Sequence, residues 1–166
     1  RRIGVGPQTA VAVSPLCTAL ADYPAAYRRG RGAATIARLR GQADAVASFE
    51  SLGVHGLLLQ LPDVTELRRF AAETLAPIRA YDTARGTALE QTLRAYVTHD
   101  LNTAATAAAL FIHPNTVNLR VRKAEQLLGV STGQVRVLAE LQVALSADDV
   151  AEALAVPAQR TGAGDD

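Results

Sequence analysis

The sequence predicts a mostly α protein with a small α/β N-terminal part and a C-terminal bundle of short helices. Three observations predict it. Apolar residues recur at helical spacing through most of the chain after Ser14. Alternation typical of strands is confined to Ile3–Val5 and Ala45–Phe49. Between Thr87 and Leu128, three helical patterns follow one another across gaps too short for anything except tight helical packing.

At 166 residues the chain suits two small units better than one ordinary domain. With 49% hydrophobic and 20% charged residues it belongs with soluble globular proteins rather than disordered or disulfide-stapled ones. No apolar run approaches the ~20 residues that cross a bilayer, and no signal-peptide pattern opens the chain. The single Cys17 excludes an internal disulfide and a structural zinc set, reads as an ordinary packing or surface thiol, and fits a reducing cytoplasm. A net charge of +1 means that any contact with nucleic acid must come from a local patch. Opening on arginine and a strand end, the sequence reads as a fragment of something longer.

From the N-terminus, Ile3 and Val5 read as a strand end broken by Gly4, Gly6 and Pro7. Ser14 to Leu39 reads as helical, with Leu16, Leu20, Tyr23, Tyr27, Ala34 and Leu39 as a buried stripe. Pro24 and the Gly30, Gly32 pair predict a break or kink there. Arg28, Arg29, Arg31, Arg38 and Arg40 read as a solvated surface, with a phosphate-binding face as the alternative. A strand at Ala45–Phe49 and a helix at Leu52–Leu61 complete a β-α-β-α order. Asp63 and Glu66 form a capping-box pattern for the next helix, which carries Leu67, Phe70, Leu75 and Ile78 inward and is divided by Pro77. Ala80–Gly86 reads as the join between two units. Pro157–Asp166 has no periodicity and reads as a disordered tail.

The first of the three C-terminal helices places Leu89, Leu93, Tyr96 and Val97 inward and ends near His99 and Asp100. The second starts at the capping residues Asn102 or Thr103 and runs through small alanines to Leu110, which permits close approach of another helix. Phe111, Ile112 and His113 form the turn, Pro114 suits the first helical position, and Gly129 suits a left-handed cap after Leu128. On this third helix Val117, Val121, Ala124 and Leu128 share a core face. The opposite arc carries Asn115, Leu119, Arg122, Lys123 and Gln126, with Thr116 and Asn118 on its flanks. Amides, guanidinium and hydroxyls of this kind are what base edges and phosphates require, and Leu119 suits a thymine methyl or a small packing site. On spacing alone, a DNA-reading helix and a plain three-helix bundle remain open. The following helix, Thr132–Leu145, turns Val135, Leu138, Leu141 and Leu145 to one side and packs on the motif or forms a dimer face; Ser146, Asp148 and Asp149 read as a cap.

The stretch LRAYVTHDLNTAATAAALFIHPNTVNLRVRKAEQLLGV resembles the C-terminal helix-turn-helix of the PucR/CdaR-type regulators. The resemblance rests on His113, Asn115, Thr116 and Val117 entering the third helix, on Glu125, Leu127, Leu128 and Gly129 closing it, and on Ala105 to Phe111 before it. Upstream, the IGVG strand end, AAYRRGRGAA and FESLGVHGLLL resemble the closing half of the GGDEF-like domain that precedes this motif, without its catalytic-type signature. The resemblance therefore implies three parts: 1–80, a degenerate, non-catalytic, truncated GGDEF-like unit; 87–156, a PucR-type DNA-binding domain; and 157–166, a tail. It implies a cytoplasmic, non-enzymatic transcription regulator that binds double-stranded DNA as a homodimer, needs no cofactor, and leaves effector sensing to upstream domains. Asn115, Asn118, Leu119 and Arg122 are expected to approach bases, and Thr103, Thr116, Arg120 and Lys123 to hold phosphates. His113 is expected to cap the helix, touch phosphate, or serve only as a turn residue. Members of the family usually carry arginine at the positions of Pro114 and Asn118, tyrosine at Leu119 and often a basic residue at Ala108, which implies weaker nonspecific binding here. The alternative is a protein-interaction or ligand-sensing module that has lost tight DNA binding. His55, His99 and His113 show neither metal-ligand spacing nor a carboxylate partner in sequence.

Overall fold

The computed structural model describes residues 10–14, 16–39, 46–47 and 52–155. Ile3, Val5, Arg40, Pro157–Asp166 and all of Ala45–Phe49 except its central pair lie outside the described residues. The described chain is mostly helical and divides into two compact units, Arg1–Thr65 with Asp149–Asp166, and Glu66–Asp148.

In the first unit, β1 (Val11–Ala12) pairs in parallel with β2 (Val46–Ala47), Val11 opposite Val46 and Ala12 opposite Ala47. Between them in sequence runs α1 (Tyr23–Leu39), and α2 (Val54–Leu58) follows. Three expectations for α1 are overturned. It begins only after a 3₁₀ turn at Leu20–Asp22, and it continues unbroken through Gly30 and Gly32, because Pro24 sits in its first turn, where the missing N–H costs nothing. Its buried face is made of small residues, Ala26, Gly32, Ala33 and Ala37, apart from the one large side chain Ile36, whereas Leu16, Leu20, Tyr23 and Tyr27 are exposed. The cause is close approach: a Cβ on Gly32 would stand 2.6 Å from Leu59 Cδ2 and 3.2 Å from Leu154 Cδ2.

Arg28, Arg29 and Arg31 form neither a solvated face nor a phosphate site. Arg28 Nη1 donates to the Pro62 carbonyl (3.2 Å), Arg29 Nη2 to that of Gln60 (3.3 Å) and Arg31 Nη2 to that of Leu154 (3.3 Å). The carbonyls of Gln60 and Pro62 lie in the chain that follows α2, and that of Leu154 lies in the last turn of α7 (Val135–Ala155), where a helix leaves its acceptors unmet and its dipole favours a cation. His55, buried, places Nε2 3.1 Å from Asp149 Oδ2, a histidine–carboxylate pair that sequence spacing could not show. Asp148 and Asp149 are therefore not a cap; with Ser146 they lie inside α7, which runs past the expected end at Leu145.

The second unit contains α3 (Thr65–Arg85, all but its first residue), α4 (Leu89–Thr98), α5 (Thr103–Leu110), α6 (Pro114–Leu128) and α7 as far as Asp148. Pro77 does not divide α3. An interior proline costs about 3 kcal/mol. Leu75 and Ile78 beside it are fully buried, each worth about 1.5–3 kcal/mol, so the burying face carries the helix through. The expected join at 80–86 is likewise the end of α3, which turns at Gly86 (φ 62°). The capping box also fails in part: Asp63 Oδ1 accepts from Thr65 N (2.8 Å) and Thr65 Oγ1 (2.7 Å), while Glu66 pairs with Arg69.

The core is Ile78, Leu89, Leu93, Ala124, Val137 and Leu141, with Tyr81, Val97, Leu127, Leu128 and Val130 against it; Ala107, Val117 and Val121 form a second cluster with Tyr96 and Ile112. Val135, expected inside, is exposed at the start of α7, and Val137 takes that place. Four charges join three helices at one side. Arg79 of α3 binds both carboxylate oxygens of Glu90 (2.8 and 2.9 Å) and reaches Asp148 of α7 (2.6 Å), and Arg94 of α4 closes the ring onto Glu90 and Asp148. The Arg79 hydrogen bonds, aided by the charges of Arg79 and Arg94, hold the Glu90 carboxyl below its usual range against the opposing effect of burial.

Candidate nucleic-acid interface

Each helix of the α4–α5–α6 unit starts where a polar side chain meets its first N–H groups. Ala88 precedes α4 and has no capping atom, so Asp82 supplies it from α3, accepting from Leu89 N (2.8 Å), Glu90 N (3.0 Å) and Thr87 Oγ1 (2.5 Å). Burial would raise the Asp82 carboxyl, but the Thr87 hydroxyl, the two N–H groups and the charge of Arg120 outweigh it and hold the group below the usual carboxylate range. Asn102 Oδ1 accepts from Ala105 N at the head of α5 (2.9 Å). His113 Nδ1 accepts from Asn115 N at the head of α6 (3.1 Å), so His113 caps the helix. Pro114 is the first residue of α6, and Gly129 closes it at φ 66°.

The turns are tight. Asp100 and Leu101 both adopt positive φ between α4 and α5, and Phe111 does so (φ 54°) between α5 and α6, with its ring 95% exposed. Sequence reasoning missed these three because none is a glycine. It also missed the buried threonines Thr92 and Thr106, whose hydroxyls satisfy themselves on the carbonyls four residues back, Ala88 and Asn102 (both 2.7 Å). Glu125 gains a structural reason: its Oε1 accepts from both N and Oγ1 of Thr132 (2.7 Å each), fixing the chain between α6 and α7.

α6 then presents two unlike faces. Val117, Val121 and Ala124 are buried, and Leu128 packs beside them, as the spacing predicts. Asn115, Asn118, Leu119, Arg122 and Gln126 are exposed, Leu119 at 67%. Thr103 Oγ1 donates to Asn118 Oδ1 (3.1 Å), bringing the head of α5 to this face. Thr116 is half-buried at its flank. Lys123, also half-buried, stands over the Tyr81 ring (5.1 Å to its centroid) and donates to Gln126 Oε1 (3.1 Å). Arg120 does not join them: it is half-buried, and its Nη1 donates to Thr92 Oγ1 (3.2 Å).

Residues 89–147 match the PucR C-terminal helix-turn-helix domain. The segment is a PucR-type helix-turn-helix domain. Two curated relatives of Bacillus subtilis (strain 168) are similar to the chain. The purine catabolism regulatory protein is 30% identical over 133 residues, 80% of this chain and 25% of that protein. The proline-responsive transcriptional activator PutR is 27% identical over 97 residues, 58% of this chain and 24% of that protein. The chain thus spans about a quarter of the length of these relatives. No solved structure matches the chain. The first likeness is too long to be confined to the PucR-type domain and must extend upstream of α4. Among the described residues, no helix is long and apolar enough to cross a membrane, and no cluster of histidine, cysteine and carboxylate groups could hold a metal ion.

Proposed function

We propose that this chain is the output end of a transcription regulator, binding duplex DNA sequence-specifically through α6 of its PucR-type domain. The observation that carries this reading is the exposed polar face of a capped, core-anchored α6 within a segment of that family. In this reading α6 enters the major groove, Asn115, Asn118, Leu119 and Arg122 approach base edges, and Thr103, Thr116 and Lys123 hold phosphates. Lys123 is steadied for that role by Tyr81 and Gln126. His113 sets the helix start from which the face is counted.

The protein acts as a homodimer, with half-sites a helical turn (~34 Å) or a multiple apart. Residues 1–80 are the closing part of a degenerate, non-catalytic GGDEF-like unit. The protein is cytoplasmic and not an enzyme, and any effector is sensed further upstream. The names of the relatives as regulators support this reading over a module that has lost DNA binding.

The test is selection of bound duplexes from a random pool, followed by titration at several salt concentrations. Arg122→Ala should cost about 1–3 kcal/mol on the selected duplex and relax one base position. Lys123→Ala should weaken all duplexes alike and flatten the salt slope. Binding by both variants that equals the wild type would sink the assignment.

A further inference from the structure

The DNA-binding reading leaves one cation of α6 unused. Arg120 lies about 100° around the helix from Leu119, turned from the exposed face toward α4. There it meets Thr92, which is fully buried, and donates to its hydroxyl oxygen while that hydroxyl donates to the Ala88 carbonyl. Its charge also acts on the Asp82 carboxylate, which holds the first N–H groups of α4. One side chain of α6 is therefore tied to the middle of α4 and acts on the group that starts it. The buried side chains of α6, Val117, Val121 and Ala124, set which face turns inward, and the Arg120–Thr92 hydrogen bond adds a directional tie that an apolar contact lacks. A turn of the helix by about 15° shifts a side-chain tip by more than roughly 1 Å, enough to spoil base contacts.

We propose that Arg120 is a positioning residue of the reading face: through Thr92 it fixes the rotation of α6 against α4, and it holds no phosphate. The inference rests on the DNA-binding reading and makes a claim that reading does not. An arginine on the recognition helix should contribute specificity without contributing to the salt dependence.

The experiment uses the full chain and compares binding to a wild-type-selected duplex and to a random duplex across a salt series, for wild type, Arg120→Gln, Arg120→Lys, Thr92→Val and the Arg120→Gln/Thr92→Val double variant. Arg120→Gln and Thr92→Val should each weaken the selected duplex about five- to tenfold, with the double variant no worse than either, because the two residues act through one bond. Random-duplex affinity and the slope of log K against log salt should match the wild type. Arg120→Lys should fail to restore specificity, since an ammonium lacks the planar reach of the guanidinium. Thr92→Val removes only a hydroxyl that is shut away from any ligand, so it carries the proposal even where Arg120→Gln folds poorly.

The proposal is overturned if Arg120→Gln lowers the slope by about 0.9, the value of one phosphate contact, while Arg120→Lys restores it and Thr92→Val behaves as wild type. Absence of salt-dependent binding by the wild type would instead overturn the DNA-binding reading itself, and this inference with it.

Discussion

α6 and α1 bury faces of different bulk. On α6 Val117, Val121 and Leu128 turn inward, and apart from Arg120 the polar side chains lie at the outer face or its flanks, with Leu119 exposed among them. On α1 and the turn before it Leu20, Tyr23 and Tyr27 are exposed, and apart from Ile36 the buried residues are alanines and Gly32. The difference lies in what each helix meets. α6 packs against side chains of ordinary size across the core, so area decides its inner face. α1 is approached so closely by Leu59 and Leu154 that only a small residue fits at Gly32. A helical pattern of bulk therefore identifies the buried face only where helices keep their usual distance.

The hardest test of that contrast lies in the second unit. Leu93 is fully buried at the centre of its core, so Leu93→Ala should destabilise the unit by about 2–5 kcal/mol in denaturant unfolding, lost transfer energy and a cavity both contributing. A loss below about 1 kcal/mol would show that α4 is not the anchor of α6 that the packing indicates.

A smaller effect is expected at Asp82, the side chain that starts α4 from another helix. Asp82→Ala should cost about 1–2 kcal/mol near neutral pH, the worth of a helix cap. The sign of its pH dependence follows from a folded-state pKa held below the unfolded value. The contribution is fully present above the unfolded carboxyl value and is lost as pH falls through the lower folded one. Unfolding curves of wild type and variant should therefore converge only in acid. Curves that stay apart down to the lowest pH would assign the loss to packing instead.

The second unit was legible because its signals are local. Asn102, His113, Pro114 and Gly129 each suit a helix end by their own chemistry; α5 begins on the first, and α6 begins and ends on the others. What was not legible depends on partners remote in sequence. Apart from the i,i+4 pair of Glu90 with Arg94, the ring of Arg79, Glu90, Arg94 and Asp148, the pair of His55 with Asp149, and the arginines that meet carbonyls of Gln60, Pro62 and Leu154 join residues that no spacing rule connects. Arg120 belongs with these. Its residue type fits a phosphate contact, and only the fold brings it to Thr92, 28 residues away in sequence.

Two glycines two residues apart on α1 sharpen the comparison further. A Cβ on Gly30 would meet nothing nearer than Ser14 Cβ at 3.6 Å, an ordinary contact. Gly30→Ala should thus stabilise by up to about 1 kcal/mol, the helix propensity difference. At Gly32 the same gain is opposed by overlap with Cδ2 of the fully buried Leu59 and a tight contact with Leu154 Cδ2, at a cost of about 1–3 kcal/mol. Gly32→Ala should therefore destabilise by roughly 1 kcal/mol net. Opposite signs for the two variants in thermal unfolding would confirm that close approach sets the buried face of α1. Equal gains at both would mean that Leu59 yields and that the small residues are not required.

The smallest effect, and the one that separates the two helices most simply, concerns Leu20. Its spacing from Tyr23 and Tyr27 is that of a buried stripe, yet it is 93% exposed. Removing a side chain that touches so little should change stability by no more than about 0.5 kcal/mol. Leu20→Ala is thus expected to unfold with the wild type, although it deletes the same atoms as Leu93→Ala. A loss of about 2 kcal/mol or more, as at a buried leucine, would require that this face be covered in solution, and the rule drawn from α1 would then hold only for the isolated chain.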